Sequence, residues 1–158
     1  ARFGRFPSIP KCNMLLRNAH GSDGSVTQYC YQKATYLREF DLAWQHDKAA
    51  FTRNGETELE WRDRLQRNVR GLGLAKASFA VCLSNPSTSD VCCIDTHMHQ
   101  LFAGSVPNGS IARRVYLAIE ETIRTYGKEF GLSTFATQWA LWDAKRGVSN
   151  AHAVLAIE

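Results

Sequence analysis

The sequence has no apolar run approaching the roughly 20 residues a helix needs to cross a bilayer, and no C-x-x-C pair among its five cysteines at 12, 30, 82, 92 and 93. The first absence excludes a membrane-spanning helix. The second, with the odd count, leaves neither a zinc knuckle nor a disulfide framework, so these cysteines read as reduced, mostly buried thiols. No secretory leader reads from the first residues, where Arg2 and Arg5 are followed by Pro7 and Pro10 rather than by an apolar core. The expected compartment is the cytoplasm. Acidic residues are missing altogether from positions 1 to 20, which hold Arg2, Arg5, Lys11 and Arg17. The formal charge of +4 therefore lies wholly in this arm, because the rest balances 15 basic against 15 acidic residues. With Phe3 and Phe6 interleaved, the arm suits a polyanion surface; the same residues also fit a solvated tail.

What is present is a chain of 158 residues, 44% hydrophobic and 22% charged, the balance of one globular domain. Residues 1 to 25 read as a basic irregular arm ending in the G-S-D-G-S loop, and 26 to 158 as a single helical domain. From Val26 to about Phe51 neither Gly nor Pro interrupts, which predicts one long helix or two joined ones. A second helix is expected from about Thr57 to Val69, with Leu59, Trp61, Leu65 and Val69 apolar and Arg62, Arg64 and Arg67 facing solvent. Arg70-Gly71-Leu72-Gly73 then turns the chain into an apolar helix from Leu74 to Leu83. Val91 to Ile94 reads as a short buried extended stretch, and Asp95-Thr96 as a helix start. Ile111, Val115, Ala118, Ile119, Thr122 and Tyr126 fall at helical spacing, and a further helix from Ser133 to about Lys145 is stopped by Gly147. A tail from Ser149 fits one more short helix. No sheet is needed, and the fold class is all-α.

The run Gly71-Leu72-Gly73-Leu74-Ala75-Lys76-Ala77 carries the most chemistry. Its glycines permit a tight turn and a close approach, while the start of the following helix presents unpaired N–H groups and the positive end of a dipole. Such a turn can cradle a phosphate without touching a base, with Arg70, Gly71, Leu72, Gly73 and Lys76 as its DNA-binding candidates. It also fits an ordinary helical hairpin whose glycines only allow close packing.

After a loop and the short apolar stretch stands Cys93-Ile94-Asp95-Thr96-His97-Met98-His99. G-L-G-L-A-K-A followed by C-I-D-T-H-M-H resembles the helix-hairpin-helix DNA glycosylases, the superfamily of endonuclease III, adenine glycosylase and 8-oxoguanine glycosylase. The resemblance covers about residues 58 to 147, with the helix-hairpin-helix at about 58 to 83, and suggests a compact, phage-type member. It implies a DNA glycosylase that flips a damaged or modified base out of duplex DNA and hydrolyses its N-glycosidic bond, with Asp95 as the catalytic carboxylate. A modified pyrimidine such as 5-hydroxymethyluracil is the expected substrate. A helix-capping role for Asp95 fits the same position, and both can hold at once.

Family members that also cut the strand carry a nucleophilic lysine where this chain has Ala75, so the resemblance implies a monofunctional enzyme that uses water. Lys76, about 100 degrees further round a helix, should point elsewhere. The family's iron-sulfur cluster needs four closely spaced cysteines, and none follows Cys93, so no cluster is expected. No cofactor is expected beyond a monovalent cation at the hairpin, and no metal: His97 and His99, two residues apart, point to different sides of a helix. His97 reads as a packing residue or one that backs the site, His99 as a group facing substrate, and both are pocket candidates. Trp139 and Trp142 read as core or as a base-stacking platform, Gln138 as a solvated amide or a reader of a base edge, and Tyr29 as a further pocket candidate. The expected partner is double-stranded DNA, bound by a monomer. Two other functions fit the same scaffold: a phage base-hypermodification transferase that adds an amino acid to activated 5-hydroxymethyluracil, and a non-catalytic DNA-binding module.

Overall fold

The computed structural model describes residues 24–147. The basic arm up to residue 23, the side chain of Tyr29 and the tail from Ser149 lie outside the described residues. Among the described residues the fold is all-α: α1 (Gly24–His46), a 3-10 turn (Lys48–Ala50), α2 (Glu58–Asn68), α3 (Leu74–Cys82), α4 (Thr96–Ala103), α5 (Arg113–Glu129) and α6 (Thr134–Arg146), with no strand. None of these helices is long and apolar enough to cross a membrane.

The chain forms two compact units. One takes the described residues up to Gly55 together with Arg64–Leu72, and the other takes Glu56–Asp63 and the residues from Gly73 onward. In the first, α1 begins at Gly24, inside the stretch expected to be a loop, and continues without Gly or Pro to His46. Asp47 then caps the 3-10 turn by accepting a hydrogen bond from Ala50 N at 3.2 Å. Phe51 is buried against Phe40 at 5.2 Å and Trp44 at 6.1 Å between ring centroids, a small aromatic core of its own. Arg64 donates to the carbonyls of Ala50 and Thr52, so it holds this turn rather than facing solvent.

The second unit is built around an ion pair. Thr57 and Glu60 cap the start of α2 reciprocally: Glu60 Oε2 accepts from Thr57 N at 2.9 Å, and Glu60 N donates to Thr57 Oγ1 at 3.3 Å. Glu58, Trp61, Arg62 and Leu65 are the buried positions of α2, an i, i+3, i+4, i+7 stripe, whereas Leu59 is 41% exposed. Arg62 is thus not solvent-facing but 1% exposed, and its Nη1 reaches Glu120 Oε1 and Oε2 of α5 at 2.7 and 2.8 Å. The inward stripe of α5 is likewise Tyr116, Ile119, Glu120, Ile123 and Gly127, while Ala118, Thr122 and Tyr126 of the expected stripe are exposed. At Gly127 α5 approaches α6 closely, since a Cβ there would lie 2.4 Å from Thr137 Oγ1. Ser133 caps α6 through Ala136 N at 3.1 Å, and Gly147 ends it in the left-handed region.

Candidate active site

Residues Asp90 to Ile94 form an irregular segment between α3 and α4 and deliver Asp95. Val91, Cys92 and Ile94 are fully buried, and Cys92 and Ile94 join Met98, Tyr116, Ile119 and Ile123 in the core of this unit. Buried backbone polar groups must find partners. Having no sheet, this segment finds them in side chains. Glu58 Oε2 accepts from Asp90 N at 2.7 Å, Glu120 Oε1 from Cys92 N at 3.1 Å, Gln138 Oε1 from Cys93 N at 3.1 Å and Tyr116 Oη from Ile94 N at 3.1 Å. Tyr116 also donates to the Cys92 carbonyl at 2.7 Å, and Arg124 to the Asp90 carbonyl at 2.8 Å.

At the end of this segment Asp95 is the N-cap of α4, its backbone extended and its Oδ1 accepting from Met98 N at 2.8 Å. The side chain is only partly buried, and Oδ2 has no hydrogen-bond partner among the described residues. The capping role is therefore real and occupies one oxygen of two. The Asp95 charge reaches its neighbourhood: Cys93, half-buried, has its thiol pushed up to about 12 by burial first and by Asp95 second. Burial also raises the thiols of Cys82 and Cys92, both free and buried as expected.

His97 is exposed in the first turn of α4, which corrects its reading as a packing residue; Met98 takes that role at 1% exposure. The reason is the cap itself, which turns the third helical residue toward the core. His99 is half-buried, with Nδ1 2.9 Å from the carbonyl of Ser105. Gln138 is neither a solvated amide nor free at its carbonyl: it is 5% exposed and bound to Cys93 N–H. Trp139 and Trp142 stack edge to face at 5.2 Å; Trp142 packs against the core, and Arg146 lies over its ring at 4.6 Å.

The two glycines of the G-L-G run differ in kind. Gly71 has φ +78, and a Cβ there would lie 2.2 Å from Tyr36 Cδ2. Arg70 stands over the same Tyr36 ring at 5.1 Å and pairs with Glu39 at 3.3 Å. Leu72, partly buried, closes the turn with its N–H on the Val69 carbonyl at 3.1 Å. Gly73 is the N-cap of α3 with an ordinary φ of −73, nothing within 4 Å of a Cβ, and no side chain capping the helix. Ala75 is partly buried against the core, whereas Lys76 is exposed, as the 100-degree offset predicts. No group of three or more His, Cys, Asp or Glu side chains among the described residues is placed to hold a metal ion.

Comparison with known proteins places relatives of one family beside this chain. The family model of 8-oxoguanine DNA glycosylase matches residues 23–132, more than half of the chain. An 8-oxoguanine DNA glycosylase/AP lyase of Methanocaldococcus jannaschii is 32% identical over 58% of this chain and 45% of its own length. The crystal structure of the M. jannaschii 8-oxoguanine DNA glycosylase shares the fold, with a TM-score of 0.65 at 23% identity over 88% of this chain and 62% of that one. A second crystal structure, of the M. jannaschii 8-oxoguanine glycosylase/lyase with a 15mer DNA containing 8-oxoguanine, gives 0.65 at 22% identity over 90% and 66%. This chain thus spans about half the length of the curated relative and less than two thirds of each solved one. The chain belongs to the 8-oxoguanine DNA glycosylase family, within the helix-hairpin-helix DNA glycosylase superfamily.

Proposed function

We propose that this chain houses the catalytic centre of a DNA glycosylase that releases an oxidised guanine, 8-oxoguanine, from duplex DNA. The observation that carries the reading is the state of Asp95: one oxygen fixed on Met98 N–H, the other unengaged among the described residues, on a side chain that remains partly exposed. A carboxylate held in place but open on one side can face positive charge as it develops on the deoxyribose. The substrate class comes from the relatives, which are named for 8-oxoguanine. None of them supports the modified pyrimidine.

Chemistry on a base requires taking it out of the stack. The N-glycosidic bond then breaks, the base leaves with the bonding electron pair, and the cation left at C1′ is stabilised by the Asp95 carboxylate. Water adds to C1′ and gives up a proton to Asp95, which passes it on as the departing base is protonated. The products are a free base and an abasic site. Strand cleavage by a lyase would need an amine nucleophile at the hairpin. Ala75 offers none and Lys76 lies on an exposed side of α3, so the proposed enzyme is monofunctional although the M. jannaschii relative is named a glycosylase/AP lyase. The N-terminus of α3, open at Gly73 and carrying exposed Lys76, is suited to a DNA phosphate.

The test is a single-turnover screen over duplexes containing 8-oxoguanine, 5-hydroxymethyluracil and other altered bases, with and without alkali. Expected are free 8-oxoguanine, strand breaks only after alkali, and a loss of about 10²- to 10³-fold in rate for Asp95→Asn. A heavier nucleoside in place of a free base would instead indicate group transfer onto the base. Salt-sensitive binding with every nucleoside intact, indifferent to Asp95→Asn, would leave a binding module.

A further inference from the structure

The N–H groups of Cys92, Cys93 and Ile94 are held alternately by two helices, so that each edge of the segment has its own support. On the edge carrying the N–H groups of Cys92 and Ile94, α5 supplies Glu120 and, one turn before it, Tyr116; on the edge carrying the N–H of Cys93, α6 supplies Gln138. Tyr116 accepts from Ile94 N and donates to Cys92 O, the two-way pairing that one residue of a neighbouring strand would provide. Burial pushes its hydroxyl well above the ordinary phenol range, so it stays neutral and keeps both roles. Two helices therefore replace two missing strands, and they do so up to the residue preceding Asp95. On the far side of Asp95 the Met98 N–H ties down Oδ1.

We propose that Tyr116 and Gln138 are positioning residues for the Asp95 carboxylate. This rests on the reading of Asp95 as the catalytic group. Tyr116 is 1% exposed and Gln138 5%, so both act through the backbone from which Asp95 projects. Charge on the sugar appears only as the base departs, so a displaced carboxylate weakens the transition state and leaves duplex binding alone. A merely structural role, satisfying buried N–H groups, would lower stability without singling out the Asp95 cap.

The experiment compares Tyr116→Phe and Gln138→Met with Ile123→Val, a packing control from the same core. The first measurement is amide hydrogen exchange at Met98, which reports on the Asp95 cap and needs no activity. The second pairs single-turnover excision of 8-oxoguanine with duplex affinity. Expected in both positioning variants are a loss of about tenfold or more in Met98 protection relative to amides of α5, an excision rate lowered about 10- to 100-fold, and a duplex Kd within about twofold of the parent. Ile123→Val should lower the thermal midpoint without either selective effect. Should Tyr116→Phe fail to fold, Gln138→Met, which removes a single bond, decides the matter. Unchanged Met98 protection with an unchanged excision rate would overturn the proposal, and so would a uniform loss of protection with no selectivity for Met98. A parent protein that excises no base, while both variants still lose Met98 protection, would sink the glycosylase reading and uphold the positioning of Asp95.

Discussion

Gly71 and Tyr36 occupy one another's space: a Cβ on the glycine would lie 2.2 Å from Cδ2 of the ring, and the glycine already sits at φ +78. Both conditions exclude a side chain, the first by contact and the second by backbone conformation. Gly73, two residues on, meets neither condition. The pair therefore allows a test that separates folding from the proposed binding of DNA. Gly71→Ala should destabilise the protein by about 1–3 kcal/mol in urea unfolding. Gly73→Ala should cost about 1 kcal/mol or less, yet weaken duplex affinity by about tenfold where a DNA backbone approaches α3 closely. Equal effects of the two on affinity, at matched stability, would remove Gly73 from the interface.

The buried Arg62–Glu120 pair is anchored further than its two partners. Glu120 also accepts from Cys92 N at 3.1 Å, and Arg62 Nη1 lies 3.4 Å from Ser78 Oγ. Glu120→Ala leaves a buried guanidinium and an unpaired N–H in the segment that delivers Asp95. The expected loss is about 3–5 kcal/mol, read from the urea midpoint. A loss under about 1 kcal/mol would show that water reaches the vacated space.

Thiol chemistry should report the burial of the central cysteines. With its thiol pushed up to about 12, Cys93 carries almost no thiolate at pH 8, and burial holds Cys82 and Cys92 in the thiol form as well. Peptide mapping after alkylation should find these three protected in the native protein and labelled in denaturant. The sign of the pH effect follows. Folding favours the neutral thiol, which costs nothing below the ordinary thiol range near 9 and destabilises progressively as pH rises from there toward 12. Rapid native labelling of Cys93 at pH 8 would contradict this.

Ala75→Lys tests the proposed water-using chemistry by placing an amine where the resemblance puts the lysine of strand-cutting enzymes. Ala75 is only partly buried, and a lysine stem can lie along apolar surface with its amine outward. Expected is a covalent protein–DNA adduct trapped by borohydride, absent from the parent, with strand breaks no longer needing alkali. An adduct already formed by the parent through Lys76 would contradict the monofunctional assignment.

Helix ends were largely legible in the sequence because they are written in local chemistry: Ser133 and Gly147 bracket α6 as their cap roles require. Asp95 was legible as a helix start for the same reason, whereas its candidacy for the site came from the resemblance carried by G-L-G-L-A-K-A and C-I-D-T-H-M-H. Which face of a helix turns inward was less so. Arg62 falls on the same stripe as Trp61 and Leu65, but its charge argues for solvent until Glu120, 58 positions away, is seen to neutralise it. Similarly, nothing local to Gln138 reveals that its carbonyl oxygen is bound by Cys93, 45 positions earlier. Long-range polar pairing leaves no periodic trace, and it is this pairing that supports the site.

An extended segment with bare edges invites a strand from another molecule. Between Asp90 and Ile94 four backbone donors, those of Asp90, Cys92, Cys93 and Ile94, are already taken by carboxylate, amide and phenol groups of the protein's own helices. The segment thus offers a foreign strand few donors to pair with, and a mutation that strips those side chains away would expose a nucleus for aggregation beside Asp95.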